Sequence, residues 1–174
     1  MVRRLRPVEL EFADTAPVRL AFTATLRSSP EEVYVALAEE VENTPRWFSA
    51  VAEAVPTGGG RGRDVKLRGG VRFSETVLAA LAVQRYAYRI DTANVPGVTA
   101  MLEDWRLAPD GLGGTLVRWT MAVDGGLPVR LVLRLARPGV GRSFHDAMRA
   151  LDAYLGAPDT SRSGGSGTGT GTAS

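Results

Sequence analysis

From Val18 to Leu26 apolar and polar side chains alternate. Val18, Leu20, Phe22, Ala24 and Leu26 fall on one side, and Arg19, Thr23 and Thr25 on the other, the period of two that marks a half-buried strand. The period then changes. Ser29-Pro30-Glu31-Glu32 supplies an N-cap serine, a proline at the first helical position and a glutamate three residues after the serine, which together form a capping box. Val33, Tyr34, Leu37 and Val41 follow at helical spacing, predicting a helix over 30–41. Thr44-Pro45 opens a second, shorter helix through Arg46, Trp47 and Phe48.

Alternation returns beyond that point. Candidate strands are 50–56, 62–68, 71–79, 84–93, 98–108 and 115–123, separated by turn-forming stretches at 57–60, 69–70, 94–97 and 109–114. Joins this short require antiparallel neighbours. Residues 128–137 and 140–155 are helical in pattern, and Pro138-Gly139 is expected to break or kink the helix between them. Phe144, Ala147, Met148, Leu151 and Leu155 form the apolar stripe of the second piece. The predicted class is α+β, in the order β, α, α, six β, α. In the leader, residues 1–16, Val8, Leu10 and Phe12 alternate with Glu9 and Glu11, which predicts a short extra strand. The glycine, serine and threonine of 157–174 predict a disordered tail. The domain itself is therefore placed at 17–156.

Between 72 and 123 a single apolar and aromatic phase persists through four successive segments. It holds Phe73, Tyr86, Tyr88, Trp105, Trp119 and Met121, and it also holds Glu75 and Glu103. The other phase carries Arg72, Ser74, Thr76, Arg89, Asp91, Asp104, Arg106 and Arg118, which suits water. Its expected cross-strand pairs, Arg72 with Asp91 and Asp104 with Arg118, are worth about 0–1 kcal/mol each. Turns centred on Leu81-Ala82, Val95-Pro96 and Gly111 set Glu75 against Tyr88, Tyr88 against Glu103, and Glu103 against Trp119. The two glutamates then stand about 10 Å apart, at about 4.8 Å per strand step, too far to share a proton. They are expected either at a solvated rim or tied to an arginine of the helix layer, or else inside a cavity, holding the polar end of a ligand or acting as a general base. Trp47, Phe144 and Met148 complete the apolar wall from the helices.

Bulk properties narrow the classes. The 174 residues, 44% hydrophobic, suffice for one core. The absence of cysteine rules out disulfides and thiolate chemistry, and one histidine cannot build a histidine metal cluster. No cofactor or metal is expected. Formal charge is +2 with a pI near 9.4, yet the arginines lack the aromatic platform or recognition helix that nucleic acid requires. The N-terminal stretch has no hydrophobic signal core and no segment is apolar enough to span a bilayer, so a cytoplasmic address is expected. Gly58-Gly59-Gly60-Arg61-Gly62 lacks the lysine and helix of a phosphate loop and is expected to be a hairpin turn. Ser143 and His145 are helix near-neighbours that do not converge, which excludes a hydrolase pair and leaves His145 at the surface.

Ser29 to Tyr34 after the first strand, Pro45-Arg46-Trp47, the Glu75 strand, Asp104-Trp105-Arg106-Leu107, Gly113-Gly114-Thr115 and the C-terminal helix together resemble the START-like or SRPBCC superfamily, in its polyketide cyclase/dehydrase and lipid-transport branch. The resemblance covers about residues 17–155. It implies the helix-grip fold, a curved seven-stranded antiparallel sheet around a long C-terminal helix enclosing a cavity for a hydrophobic molecule.

The leading expectation is a binding or carrier protein for a small hydrophobic ligand: a lipid, an isoprenoid or a polyketide-like compound. Its ligand-binding candidates are Trp47, Phe73, Glu75, Tyr86, Tyr88, Glu103, Trp105, Trp119, Met121, Phe144 and Met148, and no residue is assigned a catalytic role. The alternative is an aromatase, cyclase or dehydratase using a cavity glutamate and Tyr88. Against it stands the expected lack of an inward arginine or histidine to stabilise an oxyanion. A third class, an interaction module, rests on the basic, apolar segment 128–142, whose membrane contact is expected to be weak and whose plainer role is a helix packed on the sheet.

Overall fold

The computed structural model describes residues 1–157, and the tail expected at 157–174 lies, beyond Ala157, outside the described residues. Strand β1 (Arg3–Arg4) and helical turn α1 (Phe12–Thr15) precede β2 (Val18–Leu26). Helices α2 (Pro30–Tyr34) and α3 (Thr44–Trp47) follow, then β3 (Val51–Thr57), β4 (Gly62–Leu67), β5 (Arg72–Leu81), β6 (Arg85–Ala93), β7 (Val98–Pro109), β8 (Thr115–Gly125) and the long α4 (Leu127–Leu155). The sheet runs β2-β8-β7-β6-β5-β4-β3, antiparallel throughout, with β1 added on β6. This is the helix-grip arrangement of an α+β protein.

The capping box forms as its residues dictate: Ser29 Oγ accepts from the Glu32 N–H and Glu32 Oε2 accepts from the Ser29 N–H. The expected single helix over 30–41 is instead α2 continued by a π turn at Val35–Glu39 and a 3-10 turn at Val41–Asn43.

Three other expectations are corrected. Pro138 does not break the C-terminal helix, which continues from Leu127 to Leu155. The proline lies on an exposed turn, where a carbonyl left without its donor is open to water. The leader makes its strand at Arg3–Arg4 and not at 8–12. Arg3 and Arg4 pair with β6, and the Leu5 and Arg6 N–H groups then bond Asp91 and Thr99, bridging β6 to β7 where their own pairing has ended. Val8, Ala13 and Ala16 pack against Ala100, Leu102 and Ala122 on the convex face, so part of the face expected to meet water is covered.

Registers form the third correction. Tyr88 opposes Glu103 and Tyr86 opposes Trp105, as the turn at 94–97 requires. The neighbouring pairings slip by two: Glu75 opposes Ile90, Glu103 opposes Met121 and Trp105 opposes Trp119. A turn at 82–84 with Val83 at positive φ, and bulges near Glu75 and Val77, account for the first slip. A loop capped by Asp110, which accepts from the Leu112 and Gly114 N–H groups, accounts for the second. Arg72 and Arg118 thus lose their expected partners. Asp104 is buried and bidentate with Arg85, with Arg106 alongside.

The sheet closes on α4 through an aromatic stack. Phe144 lies 5.7 Å from Trp119, 5.9 Å from Phe22 and 6.2 Å from Trp105, centroid to centroid. Gly141 permits this approach, since a Cβ there would sit 2.7 Å from the Phe22 ring.

Candidate ligand-binding cavity

Beneath this stack, between the concave face of β3–β8 and helices α3 and α4, lies a mostly apolar cavity of about 240 Å³. Trp47 arrives from α3, Phe73 from β5, Tyr86 and Tyr88 from β6, Trp105 from β7, and Trp119 and Met121 from β8. Glu75 and Glu103 line it too. Phe144 and Met148 do not: both are buried in the core behind the wall, because α4 turns the Val140 and Ser143 side of its surface to the void. His145 is exposed, edge-on to Phe144.

Inside the greasy wall is a connected polar group. Arg63, from β4, points inward and is only 8% exposed. Its Nε donates to Glu75 Oε2, and its guanidinium lies 4.0 Å from the Tyr88 ring centroid and 5.7 Å from that of Tyr86, a cation-π clamp. Tyr88 donates its hydroxyl to Glu103 Oε2 at 2.6 Å and accepts from Trp105 Nε1 at 3.1 Å. Trp119 Nε1 donates to the same Glu103 oxygen at 3.0 Å. Among the described residues Glu103 Oε1 has no such donor, so this half-buried carboxylate keeps an acceptor for something else. Glu75 is buried and not at a solvated rim. Glu75 is tied to an arginine, but that arginine comes from the sheet and not from the helix layer.

Arg63 overturns the expectation that no arginine shares the inner phase. Its signal was present, because Arg63, Val65 and Leu67 alternate with Asp64 and Lys66, and Val65 and Leu67 line the cavity with it. The segment is short and its inward set begins with a charge, so the hydrophobic phase alone passes it over. Gly62, just before it, brings β4 against β5 so closely that a Cβ would sit 2.5 Å from the Glu75 carbonyl oxygen.

Burial dominates the electrostatics. It pushes Glu75 from its ordinary 4.5 up to about 7, with Arg63 pulling back and nearby Glu103 adding to the rise. Burial also raises Glu103, against the hydrogen bond from Tyr88 and the charge of Arg63. It raises Tyr88 well above 10 and keeps it a neutral donor. Because the folded chain holds the Glu75 proton more tightly than the unfolded chain does, this group's stabilisation is complete below about pH 4.5 and is lost as pH rises through about 7. Thermal melts at constant ionic strength should therefore show Tm declining between pH 5 and pH 8. Glu75→Gln, which fixes the neutral form and can still accept from Arg63, should flatten that decline, and an unchanged slope would contradict the assignment.

Comparison with known proteins agrees with this architecture. Residues 17–156 match the family described as polyketide cyclase / dehydrase and lipid transport, and the chain belongs to that family. An uncharacterized protein of Mycobacterium tuberculosis is 30% identical over 155 residues, covering 86% of this chain and 92% of that one. Among solved structures, a START superfamily protein from Mycobacterium smegmatis superposes with a TM-score of 0.63 at 17% identity, over 79% of this chain and 96% of that one. The ZhuI aromatase/cyclase from Streptomyces sp. R1128 gives 0.64 at 15% identity, over 79% and 93%. At these identities the two structures speak to the fold alone. Among the described residues no helix is long and apolar enough to cross a membrane.

Proposed function

We propose that the protein binds a small hydrophobic molecule in this cavity and acts as its carrier, with Glu103 anchoring a polar end. The observation that carries the reading is an apolar void whose wall presents a carboxylate oxygen, Glu103 Oε1, with no donor among the described residues, beside an oxygen that Tyr88 and Trp119 hold in place. Binding derives from burial of ligand surface at about 25 cal/mol per Å². Orientation derives from the hydrogen bond to Glu103. At about 240 Å³ the void falls below the roughly 300–1,000 Å³ of drug-sized sites, which favours a compact ring compound over a two-chain lipid.

Native mass spectrometry of protein purified from its own host should show a co-purified compound of low mass. Ligands bearing a hydroxyl should bind about ten-fold or more tighter than the same skeleton without it, the range of one hydrogen bond to a charged group. Glu103→Gln should erase most of that advantage. Equal affinity for both skeletons in the native protein would remove Glu103 from the site.

Arg63 supports a second reading, that of a cyclase or dehydratase. A buried cation, a neutral tyrosine and a carboxylate that titrates near neutrality are parts of acid-base chemistry. Arg63 is already engaged by Glu75, which is why carriage is preferred. Turnover of a polyketide-like substrate lost in Glu75→Gln with binding retained would decide for catalysis.

A further inference from the structure

The first half of α4 stands apart from the body. Leu127, Leu131, Val132 and Leu135 are 79%, 59%, 62% and 73% exposed, and Leu127, Leu131 and Leu135 repeat every four residues, one above the other on one side of the helix. Its opposite side is the attached one: Val129 meets Gly97 and Gly125, Leu133 and Val140 pack on the core, and Arg137 lies over Phe22. The expected packing of this segment on the sheet is thus one-sided, and fully buried positions begin at Gly141.

Charge identifies what this stripe faces. Arg130, Arg134, Arg137 and Arg142 lie along the segment, and no acidic residue occurs from Gly125 to His145. Arg130 is held by Asp124, whereas Arg134 and Arg142 are exposed and have no carboxylate partner among the described residues. A second copy of the chain docked face to face would oppose these arginines to one another. An anionic lipid surface satisfies both halves of the pattern, the leucines entering the headgroup boundary and the guanidinium groups meeting phosphates. We infer that the exposed Leu127–Arg142 face of α4 docks reversibly on an anionic bilayer. At the end of this segment the same helix lines the cavity with Val140 and Ser143, so docking sets the cavity beside the membrane. The docking itself does not depend on what the cavity holds.

The test is co-sedimentation of the full chain with vesicles of phosphatidylcholine alone and with 30% phosphatidylglycerol, at low and moderate salt. Binding should require the anionic lipid and weaken with salt. Arg134→Gln with Arg142→Gln should lower partitioning about 25-fold, at roughly fivefold per lost cation. Leu131→Asp with Leu135→Asp should abolish it, and unchanged far-UV circular dichroism and Tm would show that these exposed positions leave the fold intact. Absence of binding to anionic vesicles, binding indifferent to both pairs of substitutions, or a concentration-dependent dimer that the leucine substitutions dissolve would each overturn the inference. The readout is vesicle binding and not ligand uptake, so it fails or succeeds apart from the cavity reading.

Discussion

Glu75→Leu should destabilise the fold by about 3–5 kcal/mol, the range for stripping one partner from a buried ion pair. The asymmetry between the partners sets this expectation. Arg63 is buried, cannot shed its proton at any working pH, and has Glu75 as its carboxylate. A leucine in place of Glu75 leaves a desolvated guanidinium with no ion-pair partner, the faces of Tyr88 and Tyr86 beside it and Glu103 acting on it only through its field. The reverse change, Arg63→Met, should cost less below neutrality, because Glu75 can take up a proton and become neutral. Joining the two as Arg63→Met with Glu75→Leu should recover most of the loss, since a packed apolar pair often matches a buried ionic one. Urea unfolding of the four proteins forms a double-mutant cycle. A double variant as unstable as Glu75→Leu alone would show that the pair is not the coupled unit described.

Phe144→Ala should also cost about 3–5 kcal/mol, for a different reason. Phe144 is fully buried and contacts Phe22, Trp105 and Trp119 at once, so its removal opens a hole in the aromatic stack between α4 and the sheet. Trp119 and Trp105, themselves 5.5 Å apart, would lose their backing, and with them the orientation that lets their indole N–H groups hold Glu103 and Tyr88. Phe144→Leu should fall well short of that loss, since it refills part of the volume. If Phe144→Ala unfolds at the native denaturant midpoint, the stack is not what closes the cavity.

Much of this was legible in the chain. Alternation at 18–26 and through the residues from 72 to 123 identifies the strands and their inner phase, and the Ser29 to Glu32 capping box fixes where helix follows strand. The inner phase placed Glu75, Tyr88, Glu103, Trp105 and Trp119 on one surface, and the structure joins Tyr88, Glu103, Trp105 and Trp119 in one network there. Register was less legible because a slip of two keeps every side chain on its face and so leaves no trace in the pattern. Bulges and the Asp110 loop settle it, and these depend on tertiary packing. Arg63 escaped because an inward charge reads as an outward one when the apolar residues of its phase are few. Phe144 and Met148 illustrate a limit of helical periodicity, which finds the buried stripe without telling core from cavity wall. Pro138 shows local propensity yielding to context, since on an exposed helical turn it costs one hydrogen bond and no packing.

Uptake of an apolar ligand into the void is tested most directly by calorimetric titration with 2-naphthol. The native chain should bind one molecule per chain, saturably and with a negative heat-capacity change. Ala50→Trp, which places an indole across the void from a half-buried lining position, should abolish the signal while leaving Tm near the native value. Heats that never saturate, or an isotherm unchanged by Ala50→Trp, would contradict it.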